Sequence, residues 1–97
     1  MKTYAYVLKL DERLYQDDAW TKEDNEAVNA HFLRLKHDVN HGTVIHVGRT
    51  EDPRFDGFGF VVFYASDDEE AKHYAESDPA VVGGQMSVTY YPYKVVF

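Results

Sequence analysis

The sequence predicts a single α+β domain, residues 1–97, of the ferredoxin-like type, in which two helices cover one face of a four-stranded antiparallel sheet. Two observations lead to this fold class. Four stretches show the apolar composition and alternation of strands, and two stretches show the periodicity and capping signals of helices. Their order along the chain is β-α-β-β-α-β, which is the split unit of ferredoxin-like folds.

The first strand is predicted over Thr3–Leu10, where Tyr and Leu alternate with smaller or charged residues. Both rows of side chains are largely apolar, which indicates an interior strand. The acidic stretch that follows, Asp11–Trp20, is interpreted as a solvated loop. Its Leu14, Tyr15 and Trp20 still need a packing partner, which the mouth of a pocket or a second subunit would supply.

The long helix is predicted within Thr21–Gly42. Thr21 is expected to cap it, with Asp24 three residues on in the reciprocal position of a capping box. Gly42 is expected to end it in the left-handed conformation. Its apolar face follows spacings of four, three and four residues through Val28, Phe32, Leu35 and Val39.

The next two strands are predicted over Thr43–Arg49 and Phe58–Tyr64, joined as a hairpin by the turn-rich loop Thr50–Gly57. The second of them is apolar on both faces, which is typical of a central strand. Gly59 within it indicates a bulge or a close approach of other atoms.

The second helix is predicted over Asp67–Ser77, opened by a capping box in which Ser66 caps and Glu69 reaches back. Its inward face carries the small residues Ala71 and Ala75, which would let the helix lie close to the sheet.

The last strand is predicted over Met86–Phe97. Pro92 cannot donate a hydrogen bond to a ladder, so this strand is expected at an edge of the sheet or with a bulge. It is longer than the other three, and its excess, Tyr93–Phe97, is expected to extend beyond the sheet and pair elsewhere.

Right-handed crossovers place the first and third strands side by side in the middle of the sheet. The helices then cover one face, and aromatic and β-branched residues form an apolar surface on the other. Nothing remains in the chain to cover that surface, and a bare apolar face of this size is typical of an interface. The sequence therefore predicts a homodimer that packs sheet against sheet.

The net charge of −7 argues against nucleic acid and against an anionic membrane surface as partners, since both need clustered Lys and Arg. The chain has no cysteine, which excludes disulfides, thiolate chemistry and cysteine-based metal sites. Its first residues, MKTYAYVLKL, form too short and too alternating an apolar run for a signal peptide or a spanning helix. The expected compartment is therefore the cytoplasm.

The strongest candidates for chemistry are His31 and Asp78. His31 lies on the apolar face of the long helix, one turn after Val28, where a neutral core histidine is the structural interpretation. Asp78 directly follows the second helix, a position that disfavours a carboxylate by about 0.3–1 kcal/mol. It is therefore expected to cap a further turn begun by Pro79, to accept a hydrogen bond from His31, or to do both.

Three further histidines suggest a metal site less strongly. His37 and His41 are four residues apart on one helix face, and His46 follows nearby, but no third ligand is evident. Histidines near a helix C-terminus are favoured by the helix dipole. They are interpreted as solvated side chains, and no metal site is predicted.

Three segments carry a resemblance to a known family: AHFLRL around His31, SDPAVVGG with Asp78, and the closing PYKVVF. Over nearly its whole length the chain resembles the YCII-related family, whose members are small proteins of the dimeric α+β barrel type. In that family the helix histidine and the aspartate of the Asp-Pro pair are regarded as an active-site dyad, and the resemblance assigns those roles to His31 and Asp78. Some relatives are dehydrohalogenating or lactone-forming enzymes of aromatic degradation, and many have no known activity.

The chain departs from that family at two places. An arginine often comes just before the histidine in that family, but there is no arginine among residues 27–30 of this chain. The second strand often ends in Gly-Pro, where this chain has Gly48 and Arg49. Arg49 is the hypothesised replacement for the missing cation.

These residues predict a small-molecule enzyme of lyase or isomerase type that needs no cofactor. His31 would act as general base and then acid, and Asp78 would orient it. The pocket would lie between sheet and helices, walled by Tyr6 and Phe60, with Arg49 as an anchor for a carboxylate. Together with the resemblance, this predicts a small substrate that is carboxylated or aromatic-derived. The alternatives are a dimeric module that binds a small ligand without chemistry, and a structural dimer with a packed histidine.

Overall fold

The computed structural model describes residues 1–97 as a four-stranded antiparallel sheet with three α-helices. The strands are β1 (Lys2–Leu10), β2 (Val44–Arg49), β3 (Gly59–Ala65) and β4 (Met86–Pro92). The helices are α1 (Lys22–Asn40), α2 (Asp68–Glu76) and the one-turn α3 (Pro79–Val82). The spatial order β2-β3-β1-β4 places β1 and β3 in the middle. This confirms the predicted ferredoxin-like class and its strand arrangement.

The core lies between the sheet and the helices. The register sets Tyr6 opposite Val61 and Tyr4 opposite Phe63, so these four buried side chains share one face of the sheet. The ring of Phe63 packs on both tyrosine rings, with centroids 5.6 and 5.9 Å apart. From α2, the fully buried Ala71 joins this core, as its small size predicts.

The N-terminus of α1 is fixed by a buried carboxylate. Thr21 and Asp24 form the predicted capping box. The backbone N–H of Asp24 donates to the hydroxyl oxygen of Thr21 at 3.2 Å, and the backbone N–H of Thr21 donates to the carboxylate of Asp24 at 2.9 Å. Asp24 also accepts two hydrogen bonds from the Arg13 guanidinium, at 2.8 and 2.9 Å, and one from the amide of Gln85, at 3.0 Å. The carboxylate therefore joins the loop after β1, the start of α1 and the residue before β4.

The loop between β1 and α1 is more ordered than a solvated connection. It folds into two 3-10 turns, and Leu14 is buried. Trp20 donates its indole N–H to the carbonyl of Leu14 at 3.0 Å, and the ring of Tyr15 packs on Phe55, 5.0 Å away. Its apolar residues therefore find packing partners within the chain.

The predicted apolar face of α1 is only partly covered. Leu35 is buried, but Phe32 is 52% exposed and Val39 is 43% exposed. The reason is that α1 lies against β2, the edge strand of the sheet, so the outer half of its face extends past the sheet. None of the helices combines the length and apolarity needed to cross a lipid bilayer.

The second helix is capped one residue later than predicted. Asp67, not Ser66, is the cap and accepts from the backbone N–H of Glu70 at 2.8 Å. The carboxylate of Glu70, not that of Glu69, reaches back, to the hydroxyl and the backbone N–H of Ser66. The helix start therefore has the predicted pair of cap and returning glutamate, but both residues lie one position later than predicted.

The strands β2 and β3 form the predicted hairpin, but the irregularity lies elsewhere than at Gly59. The register shifts in β2, between Val44 and His46. A Cβ at Gly59 would lie 3.4 Å from the Cβ of Leu8, an ordinary contact between neighbouring strands.

The last strand ends at Pro92, on the predicted edge of the sheet, and not at Phe97. Residues 93–97 belong to no strand or helix.

The residues that alternate with the core row form the second sheet face, which we define as Ala5, Val7, Phe60, Val62, Tyr64, Thr89 and Tyr91. Ala5 and Val62 are buried among larger neighbours, whereas Tyr64 and Tyr91 are exposed. The second sheet face is therefore apolar at its centre and aromatic at its exposed margin.

Candidate active site

His31 of α1 and Asp78, between α2 and α3, meet inside the protein. The ring Nδ1 of His31 lies 2.7 Å from Oδ2 and 2.9 Å from Oδ1 of Asp78. Both side chains are buried. Because an ionised carboxylate only accepts hydrogen bonds, Nδ1–H is the donor, and the neutral ring carries its free lone pair on Nε2.

Asp78 occupies this position because it caps α3. Its Oδ1 accepts from the backbone N–H of Ala80 at 2.9 Å, and Pro79 stands in the first turn, where a missing N–H costs nothing. Capping and contact with His31 therefore occur together in one carboxylate.

Tyr6, from the central strand β1, contacts the carboxylate of this pair. Its hydroxyl donates to Oδ2 of Asp78 at 2.9 Å, and its ring packs on Phe63 and Tyr74. The sequence placed Tyr6 in the pocket wall, which is wrong, because its ring fills the core and does not line the cavity. Burial and the neighbouring carboxylate of Asp78 raise the pKa of Tyr6, so its hydroxyl stays protonated.

The carboxyl group of Asp78 remains ionised despite complete burial. Burial acts to raise its pKa, but the hydrogen bond from His31 lowers it, and so does the charge of His31 when its ring is protonated. The N–H of Ala80 and the hydroxyl of Tyr6 lower it further. The net result is a pKa below the ordinary value for aspartate. The core therefore contains an anion whose oxygens are satisfied by three donors.

A cavity of about 410 Å³ lies beside the pair, between α1 and the ends of the central strands. His31 lines it, and its Nε2 has no hydrogen-bond partner in the protein. Eleven of the 16 lining residues are hydrophobic, among them Trp20, Phe32, Phe58 and Met86. The basic atom of the imidazole therefore adjoins an apolar space large enough for a ring-sized molecule.

Arg49 also lines the cavity, and it is the one lining residue with a permanently charged side chain. Its Nη1 donates to the carbonyls of Thr50 and Glu51, at 2.8 and 2.7 Å, and it forms no salt bridge within the chain. Its remaining donors are therefore free for an anionic group.

Phe60, in strand β3, also lines the cavity. It pairs with Val7 in the register of the second sheet face, and its ring packs edge-on against Tyr93, 5.6 Å away. Sequence reasoning offered Trp20 the mouth of a pocket or a second subunit as its packing partner, and it did not place Phe58 in the wall. Both are large aromatic residues in or beside loops, a signal that is compatible with many positions.

The remaining histidines lie apart from this site. The rings of His37 and His41 stack at 4.0 Å on the exposed side of α1. No three His, Asp or Glu side chains cluster so as to hold a metal ion.

No protein-family model matches the chain, and no curated protein sequence matches it. Among solved structures, the chain is similar to the 5-chloro-2-hydroxyhydroquinone dehydrochlorinase TftG from Burkholderia phenoliruptrix AC1100, solved in complex with 2,5-dihydroxybenzoquinone. The superposition has a TM-score of 0.60 with 17% sequence identity, and covers 95% of this chain and 93% of that one. At this identity the likeness shows a shared α+β fold.

Proposed function

We propose that the chain is a small-molecule enzyme of lyase or isomerase type in which His31 transfers a proton and Asp78 orients it. The observation that carries this proposal is a buried, hydrogen-bonded imidazole–carboxylate pair whose free ring nitrogen adjoins an apolar cavity.

The reaction begins with the neutral imidazole. Nε2 removes a proton from a carbon acid of the substrate, and the imidazolium that forms is stabilised by the carboxylate of Asp78. The same nitrogen then returns the proton, to the leaving group in an elimination or to a second carbon in an isomerisation. Acid–base assistance of this kind contributes about 10²–10⁴ in rate. The scheme uses residues of the chain and requires no cofactor.

The cavity favours a cyclic or aromatic-derived substrate with one anionic group. Its volume lies within the range of about 300–1,000 Å³ that small-molecule pockets occupy. The apolar wall suits a ring, and Arg49 suits a carboxylate or an enolate oxygen. The dehydrochlorinase named above supports this class, since loss of HCl from a ring is an elimination that one general base can start.

We further propose that the chain belongs to the YCII-related family of dimeric α+β barrels. The segments around His31 and Asp78 support this assignment, together with the shared fold. In this proposal a homodimer forms through the second sheet face, whose aromatic margin at Tyr64 and Tyr91 would otherwise stay in water.

The test is a turnover screen of halogenated hydroquinones and unsaturated lactones, followed by ultraviolet absorbance and by release of halide. His31→Ala should abolish any turnover found in the wild type, while His73→Ala, at an exposed histidine on α2, should leave it unchanged. Circular dichroism verifies that both variants fold.

Turnover that survives in a folded His31→Ala variant overturns the proposed role of His31. Compounds that bind without being changed favour the alternative, a ligand-binding module.

A further inference from the structure

Three polar side chains of α1 contact the segment that carries Asp78. His31, Arg34 and Asp38 follow spacings of three and four residues, so they form one stripe along the helix, beside its apolar face. His31 binds Asp78, as described above, and the other two bind the last turn of α2. The helix that carries the candidate base therefore also holds the element that leads to the carboxylate.

Arg34 caps the end of α2. Its Nη2 donates to the carbonyl of Tyr74 at 2.7 Å and to the hydroxyl of Ser77 at 3.3 Å. In a continuing helix that carbonyl would accept from the backbone N–H of Asp78, which here bonds to the carbonyl of Ala75 instead. The guanidinium thus replaces the hydrogen bond that is lost where the chain leaves the helix at Asp78.

The side chain of Tyr74 is held by the same helix at two points. The guanidinium carbon of Arg34 lies 4.0 Å from the centre of its ring, and its hydroxyl donates to the carboxylate of Asp38. Its ring also packs on that of Tyr6, 6.1 Å away, and Tyr6 donates to Asp78. The position of Tyr74 therefore affects both the backbone before Asp78 and the phenol that binds it.

The connection between α1 and the end of α2 depends on few groups. Their hydrogen bonds all involve Arg34 or Tyr74. The small residues Ala71 and Ala75 pack α2 into the core against the sheet, so long side chains make its contact with α1. The side chain of Arg34 is only 20% exposed, and its planar group is rigid, so it holds the two helices in one geometry.

We propose that Arg34 is a positioning residue of the candidate active site: it holds the end of α2 so that the carboxylate of Asp78 keeps the proton of His31 on Nδ1 and the lone pair on Nε2. This inference rests on the roles proposed above for His31 and Asp78. Arg34 does not line the cavity, so it acts through Asp78 and not on a ligand.

The tautomer of His31 measures this role without any substrate. In NMR spectra of protein with isotope-labelled histidine, protonated and unprotonated ring nitrogens give distinct signals, and His31→Ala identifies those of His31. In the neutral ring of the wild type, the proton should lie on Nδ1. Arg34→Met removes the charge and the donors, and it should lower the ratio of the Nδ1–H to the Nε2–H form about three- to tenfold, as expected for weakening one hydrogen bond.

Two further variants complete the test. Arg34→Lys keeps the charge and a donor but lacks the planar fork, so its ratio should lie between those of the wild type and Arg34→Met. Its ratio decides the test if Arg34→Met does not fold. The control is Arg13→Met, which removes the hydrogen bonds to the buried carboxylate of Asp24 and does not touch α2. It should lower stability and leave the ratio at the wild-type value.

Two results overturn the proposal. One is a ratio that stays at the wild-type value in the folded variants of Arg34, because the carboxylate would then be positioned without the guanidinium. The other is an equal fall in Arg13→Met, because the tautomer would then follow overall stability and not the contact between α1 and α2.

Turnover separates this inference from the proposed function. Because Arg34 lies outside the cavity wall, Arg34→Lys should lower kcat and leave KM nearly constant in any reaction that the screen finds. A wild type without turnover whose tautomer depends on Arg34 overturns catalysis and supports the positioning of Asp78. Turnover and tautomer that are both unchanged in Arg34→Lys overturn the role of Arg34 and leave that of His31 in place.

Discussion

The hydroxyl of Tyr6 and the carboxylate of Asp78 lie 2.9 Å apart, although 72 residues separate them in the sequence. This hydrogen bond joins the central strand β1 to the turn that holds the candidate catalytic pair. It gives the buried carboxylate a donor that does not titrate near neutral pH, since the pKa of Tyr6 is raised by burial. The bond therefore links the stability of the fold to the ionisation of its candidate site.

The first prediction concerns this hydrogen bond. Tyr6→Phe removes one donor to a buried carboxylate and is expected to lower the free energy of unfolding by about 1–3 kcal/mol at pH 7, measured by urea titration. Tyr15→Phe is the matched control, because that phenol lies outside the second sheet face, is partly exposed and makes no hydrogen bond within the chain. An equal effect in both variants would contradict the role of Tyr6.

The pH dependence of this effect has a definite sign. The pKa of Asp78 in the folded protein lies below its ordinary value, so its ionisation stabilises the fold above the unfolded pKa of about 3.9. That stabilisation is lost as pH falls through the folded pKa. Tyr6→Phe raises the folded pKa, so the wild type and the variant should differ fully at neutral pH and converge in acid. A difference that does not shrink as Asp78 becomes protonated in acid would contradict this linkage.

The second prediction concerns the cluster around Asp24. Hydrogen bonds from Arg13, from the backbone of Thr21 and from Gln85 hold the pKa of Asp24 far below its ordinary value. Arg13→Ala should therefore lower the thermal midpoint at pH 7, and the loss should shrink as pH falls through the folded pKa and Asp24 becomes protonated.

The control for the second prediction is Arg54→Ala. Arg54 pairs with Asp52, and both side chains are about half exposed, so the change should leave the midpoint nearly constant. A larger loss in Arg54→Ala than in Arg13→Ala would refute the importance of burial at Asp24.

The third prediction concerns Arg49. For a substrate with a carboxylate, Arg49→Ala should raise KM about 10- to 100-fold with kcat nearly constant, because the ion pair forms equally in ground and transition states. A substrate analogue without the carboxylate should show no change. If kcat falls instead with KM constant, Arg49 acts on the transition state and not as an anchor.

The fourth prediction concerns the two sides of α1. Leu35→Ala should cost about 2–5 kcal/mol of unfolding free energy, because Leu35 is buried in the core. Leu33→Ala, on the exposed side of the same helix, should cost less than about 0.5 kcal/mol. Chemical denaturation of both variants tests this difference, and similar costs would mean that the helix is oriented differently.

The sequence predicted both ends of α1 well, because each depends on local signals, and it predicted the strand order well, because right-handed crossovers leave few arrangements. The box of Thr21 with Asp24 and the positive φ of Gly42 are examples. The cap of α2 was misplaced by one residue, since Ser66 and Asp67 are both good caps and each has a glutamate three residues on. Local signals do not distinguish such neighbours.

Other features depend on tertiary structure and had weaker signals. The periodicity of α1 identified one face of the helix, but not how far the sheet extends beneath Phe32 and Val39. The contact of His31 with Asp78 was expected because both helices pack on one sheet face. The role of Tyr6 was missed because alternation shows which way a strand residue points, but not which polar group its hydroxyl meets.

The capping of α3 by Asp78 has an entropic consequence. An aspartate free to rotate would have to be ordered each time a charge formed on the imidazole, and that ordering would add to the barrier. Here the backbone N–H of Ala80 and the hydroxyl of Tyr6 hold the carboxylate in position before any ligand arrives. In the reaction proposed for His31, the reorganisation that orders this carboxylate for proton transfer is thus completed when the chain folds.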